Sequence, residues 1–159
     1  MITTKTTAFR VRTISRSELD RVRASGRDAS GHPVERQTAE GGEQLRCCLR
    51  PAEPDEPIML FGYQPPMPAS PYRETGAIYA HAEPCGGPSG SDGYPPAFRG
   101  RRQVLRAYDS RGWIRTARVH DGADPEAVIS DLFTDPEVVE LHSRNVAWGC
   151  YTFTVERAG

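Results

Sequence analysis

The sequence predicts a single α+β domain over residues 1–159, with a mostly antiparallel sheet built from hairpins and two helices packed on one face. Apolar residues alternate with a period of two in about six to eight short segments, as expected of half-buried strands. Two other segments begin with helix-start signals. Most connections have hairpin length, which favours antiparallel pairing and an α+β arrangement.

The N-terminal half is predicted to hold one strand, one short helix and then a series of strands. Residues 9–14 form the first strand, and Ser15 with Glu18 forms a capping box that begins the helix. Residues 26–42 have no sustained period, so a loop with a little strand is expected there. Three further strands are predicted at residues 45–49, 58–63 and 76–81.

The C-terminal half is predicted to contain two hairpins. In the first, residues 109–112 (Asp-Ser-Arg-Gly) connect strands 104–108 and 113–119, and Asp first with Gly last suits a type I turn. In the second, residues 138–155 form two arms around a loop at residues 145–147.

Between these hairpins, the sequence carries its clearest helix signal. Asp124 is a typical N-cap, and Pro125 suits the first helical position. The apolar side of this helix should cover the sheet face that carries Leu141 and Phe153. Upstream, residues 86–93 are rich in glycine and serine and are predicted to be a flexible loop.

Composition narrows the function classes. The formal net charge of −1 gives no reason to expect a nucleic-acid or membrane partner. No stretch approaches the roughly 20 apolar residues of a membrane span, and no targeting segment is evident, so a cytoplasmic protein is expected. Phosphate-cradling glycine motifs and the G-x-S-x-G motif are absent, which disfavours nucleotide-dependent chemistry and serine hydrolysis. The four cysteines should be free thiols or ligands.

The last hairpin suggests a catalytic pair. With the loop at residues 145–147, Leu141 lies opposite Tyr151, and His142 lies directly opposite Cys150. An imidazole beside a thiol stabilises the reactive thiolate. Cys150 is therefore the candidate nucleophile or thiol acid/base, His142 its partner, and Asn145 a group that orients the histidine or polarises a carbonyl. Alternatively, the cysteine fills space and the histidine lies on the surface.

Other residues are candidates for binding a substrate. Nineteen of the twenty basic residues are arginines, whose planar fork can clamp carboxylates, although a GC-rich coding sequence gives the same bias. Arg106 can instead be a surface residue that meets Glu140 or Asp109. The candidate substrate-binding residues are Arg144, Arg106, His81, Tyr79, Tyr72 and Arg73.

A metal site is the further alternative. His81 and Cys85 are spaced as H-x-x-x-C, and with His142 and Cys150 they make a Cys₂His₂ set, in which Cys48 can replace either cysteine. Cys47 and Cys48 would point to opposite faces of a strand. The spacings match no standard zinc motif, and a chain of this length should not need a metal to fold. We therefore expect no metal and no cofactor.

Three motifs resemble a bacterial family catalogued as domain of unknown function 1203. Residues 70–85 (SPYRETGAIYAHAEPC) resemble its S-P-Y-R-x-S-G-P-I-x-x-H-x-x-P-C stretch. Residues 105–109 (LRAYD), and residues 142–145 (HSRN) with 149–151 (GCY), resemble two further stretches. This sequence has Thr75 and Ala77 where serine and proline are usual, and Leu45 where the family often has cysteine. The resemblance implies no activity.

The leading functional prediction is a small soluble enzyme that acts on a small, carboxylated metabolite through a Cys/His site with arginine clamps. A non-catalytic protein that binds a small molecule or a partner would use the same polar face with an unreactive thiol. A Cys/His metal-binding protein is the third hypothesis. The sequence does not indicate an oligomeric state.

Overall fold

The computed structural model describes residues 7–88 and 92–158, which form two five-stranded sheets and two α-helices. This confirms the α+β class. The helices are α1 (Arg16–Ser25) and α2 (Pro125–Leu132). The strands are β1 (Phe9–Arg12), β2 (Glu35–Thr38), β3 (Gln44–Leu45), β4 (Arg50–Pro51), β5 (Pro57–Tyr63), β6 (Gly76–His81), β7 (Gln103–Tyr108), β8 (Ile114–His120), β9 (Glu140–Asn145) and β10 (Tyr151–Arg157).

Each sheet has its own strand order. The first sheet runs β1-β10-β9-β7-β8 and is antiparallel throughout. The second runs β2-β5-β6-β3-β4 and is antiparallel except for β3, which pairs in parallel with β6 at Leu45 and Tyr79. This parallel pairing brings the short β3–β4 hairpin beside the end of β6.

The two helices pack on different sheets. Leu19 and Val22 of α1 join the apolar cluster of the second sheet. Ile129 and Leu132 of α2 join the cluster of the first sheet, together with Leu141 and Phe153 and other buried residues. The predicted cover of Leu141 and Phe153 by α2 is therefore confirmed. The expectation of one sheet with both helices on one face is wrong, because the apolar side chains divide between two sheets.

Local signals predicted the element ends well. The Ser15 hydroxyl accepts a hydrogen bond from the Glu18 amide at 3.1 Å, and the Asp124 carboxylate accepts one from the Ala127 amide at 3.2 Å. Strand β6 has the predicted bounds. Of the predicted loop at residues 86–93, residues 89–91 lie outside the described residues. No helix in the described part of the chain has both the length and the apolar character needed to cross a membrane.

A buried carboxylate ties the loop after α1 to the middle of the second sheet. Asp28 accepts hydrogen bonds from the amides of Ser30, His32 and Gly62 at 2.9, 3.0 and 2.9 Å. A Cβ at position 62 would lie 2.8 Å from the Asp28 carboxylate, so the close approach requires glycine. Burial alone would raise the pKa of Asp28, but the amides of Gly62, His32 and Ser30 hold it below its ordinary value.

We predict that Asp28→Ala lowers the free energy of unfolding at pH 7 by about 1–3 kcal/mol, because it leaves buried amides without acceptors. Asp28→Asn keeps one acceptor oxygen, so its free energy of unfolding should fall by less. Since the folded protein favours the ionised carboxylate, this stabilisation is present above the ordinary Asp pKa of 3.8 and is lost as the pH falls through the lower folded value. Urea unfolding at a series of pH values measures this stabilisation. Equal stability of the wild type, Asp28→Ala and Asp28→Asn at pH 7 would contradict the prediction.

Candidate functional site

The turn between β3 and β4 brings two cysteines together. Residues 46–49 form a turn, closed by a hydrogen bond of 2.9 Å from the Leu49 amide to the Leu45 carbonyl. The Sγ atoms of Cys47 and Cys48 lie 4.0 Å apart. The predicted strand over residues 45–49, with these two cysteines on opposite faces, is therefore wrong beyond Leu45. The chain reverses here, with Leu49 in the left-handed region at φ 57°.

The end of β6 adds an imidazole and a third thiol. Nδ1 of His81 lies 3.5 Å from Sγ of Cys47 and 3.8 Å from Sγ of Cys48. Cys85 completes the group, so that one donor atom from each of the four residues lies within 4.8 Å of all the others. We name Cys47, Cys48, His81 and Cys85 the Cys₃His cluster.

The spacing of these donors suits a tetrahedral metal ion. Zinc binds thiolates at about 2.3 Å and imidazole nitrogen at about 2.0–2.1 Å, so the edges of the tetrahedron are about 3.8 Å between sulfurs and about 3.6 Å between sulfur and nitrogen. The measured sulfur–sulfur distance is 4.0 Å, and the two sulfur–nitrogen distances are 3.5 and 3.8 Å. These three distances are close to the edges of a zinc tetrahedron, and the sulfur of Cys85 lies within 4.8 Å of the other three donors.

A carboxylate and a guanidinium hold the histidine ring. Nε2 of His81 lies 2.6 Å from Oε2 of Glu56, and Arg50 donates two hydrogen bonds to Glu56 at 2.9 and 3.0 Å. The bonds from Arg50 and from the Glu53 amide lower the pKa of Glu56 to about 2. Because this carboxylate is an acceptor, the ring proton is assigned to Nε2, which leaves the Nδ1 lone pair directed at the thiols. Metal-binding histidines are commonly oriented in this way.

The three thiols of the cluster differ in their pKa and in the cavity that each lines. A hydrogen bond between Cys47 and Cys48 raises the pKa of Cys47, which burial raises further, and lowers that of Cys48. Burial raises the pKa of Cys85. Cys48, with Arg50, lines a cavity of about 330 Å³, while Cys47 and Cys85 line a separate cavity of about 250 Å³ beside α1. Cys48 is therefore the thiol of the cluster that ionises most readily.

The predicted pairing of His142 with Cys150 is wrong. The loop spans residues 146–149, with Asn145 opposite Cys150, and the register then shifts at a bulge between Tyr151 and Phe153. As a result, His142 pairs with Thr154 and Leu141 with Val155. The apolar alternation alone could not show the longer loop or the bulge.

The three predicted catalytic residues do not form one site. His142 is fully buried, with its ring 4.6 Å from that of Tyr108, and its Nε2 lies 2.9 Å from Glu140. Sγ of the half-buried Cys150 lies 3.8 Å from the Trp148 carbonyl. Asn145 accepts a hydrogen bond of 2.9 Å from the Trp148 amide and so closes the loop. Likewise, His142 and Cys150 do not join His81 and Cys85 in the cluster.

Two of the three arginines predicted to bind substrate contact the carboxylate of Glu74. Arg106 lies 2.6 Å from Glu74, rather than near Glu140 or Asp109 as considered from the sequence. Arg144 is buried, donates to the Gly149 carbonyl at 3.1 Å, and lies 3.4 Å from Glu74. Both contacts are consistent with a structural role.

Of the remaining candidates, Tyr79 lines a further cavity, of about 390 Å³, and His81 belongs to the Cys₃His cluster. Tyr72 packs edge-on against Trp113, and Arg73 is exposed. Cys47, Glu56 and Arg50 were not among the site residues predicted from the sequence. The adjacent cysteines upstream of H-x-x-x-C were the available signal, whereas Glu56 and Arg50 carry no sequence signal of a role beside a histidine.

Fold and site together define a small α+β protein with a Cys₃His cluster at the end of a parallel strand pair. Residues 42–157 match the model of a protein family of unknown function, DUF1203, so the chain belongs to that family. The resemblance predicted from the sequence motifs is thus confirmed, and all four residues of the cluster lie within the matched region. Neither a curated protein nor a solved structure gives a significant match.

We predict that His142→Phe leaves the alkylation rate of Cys150 by iodoacetamide unchanged within about twofold, because the imidazole does not face the thiol that it was expected to activate. The measurement is peptide mass spectrometry of the native protein after timed alkylation, with circular dichroism to show that the variant is folded. A fall of about tenfold or more would contradict this and restore the thiol–imidazole pair.

Proposed function

We propose that this protein binds one zinc ion through the thiolates of Cys47, Cys48 and Cys85 and through Nδ1 of His81. The observation that carries the proposal is the spacing of the four donor atoms, all within 4.8 Å of one another. This replaces the sequence-based expectation that the chain binds no metal. That expectation rested on a different ligand set and on spacings that match no standard motif.

The donor chemistry favours zinc among the common metals. Calcium and magnesium prefer oxygen ligands, whereas thiolates and imidazole suit zinc and other softer metals. Four protein donors fill a tetrahedron, which is typical of a structural zinc site rather than a catalytic one with an open position. The ligands come from two chain segments, residues 47–48 and 81–85, so zinc would cross-link the β3–β4 hairpin to the segment that follows β6.

Two guanidinium groups lie next to the histidine of the proposed site. Zinc with three thiolates and a neutral imidazole carries one net negative charge. Nη2 of Arg50 lies 3.1 Å from Nε2 of His81, and Arg23 donates a hydrogen bond of 3.0 Å to the His81 carbonyl. The Glu56 carboxylate, in turn, would accept a hydrogen bond from the ring N–H at Nε2 and so orient Nδ1 toward the metal. In the reducing cytoplasm expected from the sequence, the thiols would be available for the metal.

A thiol enzyme is the second candidate, and the same residues support it in a different way. Cys48, His81 and Glu56 follow one another as a nucleophile, a base and an orienting carboxylate. The thiol of Cys48 also lines the cavity of about 330 Å³, which a small substrate could enter. This candidate keeps the Cys/His enzyme predicted from the sequence but moves it from Cys150 and His142 to Cys48 and His81.

We predict about one zinc per chain in the full-length protein purified without chelator, and a lower melting temperature after a strong chelator removes it. Zinc should protect Cys47, Cys48 and Cys85 from iodoacetamide, because bound thiolates are shielded, while Cys150 outside the cluster reacts at the same rate with or without metal. Cys48→Ser should weaken zinc binding at least about tenfold, and Cys150→Ser, the matched control, should not change it.

Elemental analysis and peptide mass spectrometry provide both readouts. Failure to bind zinc even when it is supplied in excess, combined with rapid alkylation of Cys48 alone, would overturn the metal proposal and favour the thiol enzyme. Zinc binding that Cys150→Ser abolishes would also contradict the ligand set.

A further inference from the structure

A third cavity, of about 390 Å³, shares no lining residue with the two cavities beside the Cys₃His cluster. Its walls come from two parts of the chain. Gln44 and Tyr79 of the second sheet and Arg46 of the turn after β3 line it together with Asn145, Trp148 and Cys150 at the tip of the last hairpin. None of these residues belongs to the Cys₃His cluster. The cavity has the size of a small-molecule site and combines apolar walls with a few polar groups, as such sites usually do.

A buried arginine that has no carboxylate partner among the described residues lines this cavity. Arg46 is only 5% exposed. Its Nε donates a hydrogen bond of 2.8 Å to the Tyr151 carbonyl, and its Nη1 donates to the Gln44 carbonyl. Among the described residues, no Asp or Glu side chain lies within ion-pair distance of it, whereas buried Arg144 has Glu74 at 3.4 Å. A buried charge without a counter-ion is costly, so this guanidinium favours an anion in the cavity.

The other walls restrict what that anion can be. The Gln44 side-chain oxygen is buried and accepts no hydrogen bond from the described residues, so it would accept one from a hydroxyl or amine of a ligand. Trp148 stands at the rim with 84% of its surface exposed, far more than any other large apolar residue that the structure describes. With Leu60 and Tyr79, it offers an apolar surface that a hydrocarbon or aromatic body would cover.

We propose that this cavity binds a small carboxylic acid with an apolar or aromatic body. The carboxylate would pair with Arg46, and the body would lie between Tyr79 and Trp148. The Nη2 of Arg46 makes no hydrogen bond with the residues that the structure describes, and a planar guanidinium suits a carboxylate better than a neutral group. The proposal does not depend on the metal, because its contacts lie outside the Cys₃His cluster.

Nuclear magnetic resonance of the indole N–H groups tests this directly, because the chain has two tryptophans and only Trp148 lines the cavity. The full-length protein as purified is titrated with three carboxylates (benzoate, phenylacetate and 4-hydroxyphenylacetate), and each is compared with its amide. We expect the Trp148 signal to shift in a saturable manner with at least one carboxylate, and about tenfold more weakly with its amide. The Trp113 signal should not move, which provides an internal control.

Two variants locate the site. Arg46→Met should weaken carboxylate binding by about tenfold or more and bring it to the level of the amide, because it removes the charge. Since Arg46 is buried and its loss can unfold the chain, Ala77→Phe provides a second test. Ala77 is exposed and lines the cavity, so the phenyl ring of the variant would fill the cavity. The matched control is Ala117→Phe, which places the same ring on an exposed alanine of β8.

We expect Ala77→Phe to abolish the Trp148 shift and Ala117→Phe to leave it unchanged. No saturable Trp148 shift with any of the three carboxylates would overturn the proposal. Equal shifts with acids and amides, or shifts that survive Ala77→Phe, would overturn it as well, because they would show binding without Arg46 or outside the cavity.

Discussion

The parallel pairing of β3 with β6 is the contact on which both sites depend. It is short, with Leu45 opposite Tyr79 and the Arg46 amide donating a hydrogen bond of 2.8 Å to the Tyr79 carbonyl. After this bond the chain turns, which brings Cys47 and Cys48 beside His81 at the end of β6. The side chain of Arg46 lines the cavity of about 390 Å³. One backbone contact thus positions both the Cys₃His cluster and a buried cation.

Arginine, more than lysine, suits this arrangement. Arg50 donates two hydrogen bonds to Glu56, which in turn contacts the ring of His81, and a planar fork makes such a paired contact where a lysine could not. Arg46 uses the same fork to contact two backbone carbonyls that lie in different sheets. The arginine-rich composition is therefore put to structural use at these positions, whatever the origin of the bias in the coding sequence.

Signals carried within one segment gave reliable predictions for this chain, and the pairing of one segment with another did not. The bounds of β6 and the caps Ser15 and Asp124 could be predicted, because an alternating pattern or a capping side chain determines each of them within a few residues. The hairpin register failed because one longer loop and one bulge move His142 from Cys150 to Thr154 without altering the apolar pattern. Only tertiary structure shows such a shift.

The Cys₃His cluster was half predicted, for the same reason. His81 and Cys85 are close in sequence and were recognised together, but Cys47 and Cys48 reach them through the β3–β6 pairing, which joins segments more than thirty residues apart. A strand over residues 45–49 was the natural interpretation of its apolar residues. Such a strand would have directed the two thiols to opposite faces, whereas the observed turn brings them to 4.0 Å from each other.

X-ray absorption at the zinc edge of the loaded protein tests the ligand set most directly. Three thiolates and one imidazole predict a shell of three sulfurs at about 2.3 Å and one nitrogen at about 2.0–2.1 Å. A first shell of nitrogen and oxygen alone, or a shell of four sulfurs that requires Cys150, would contradict the account.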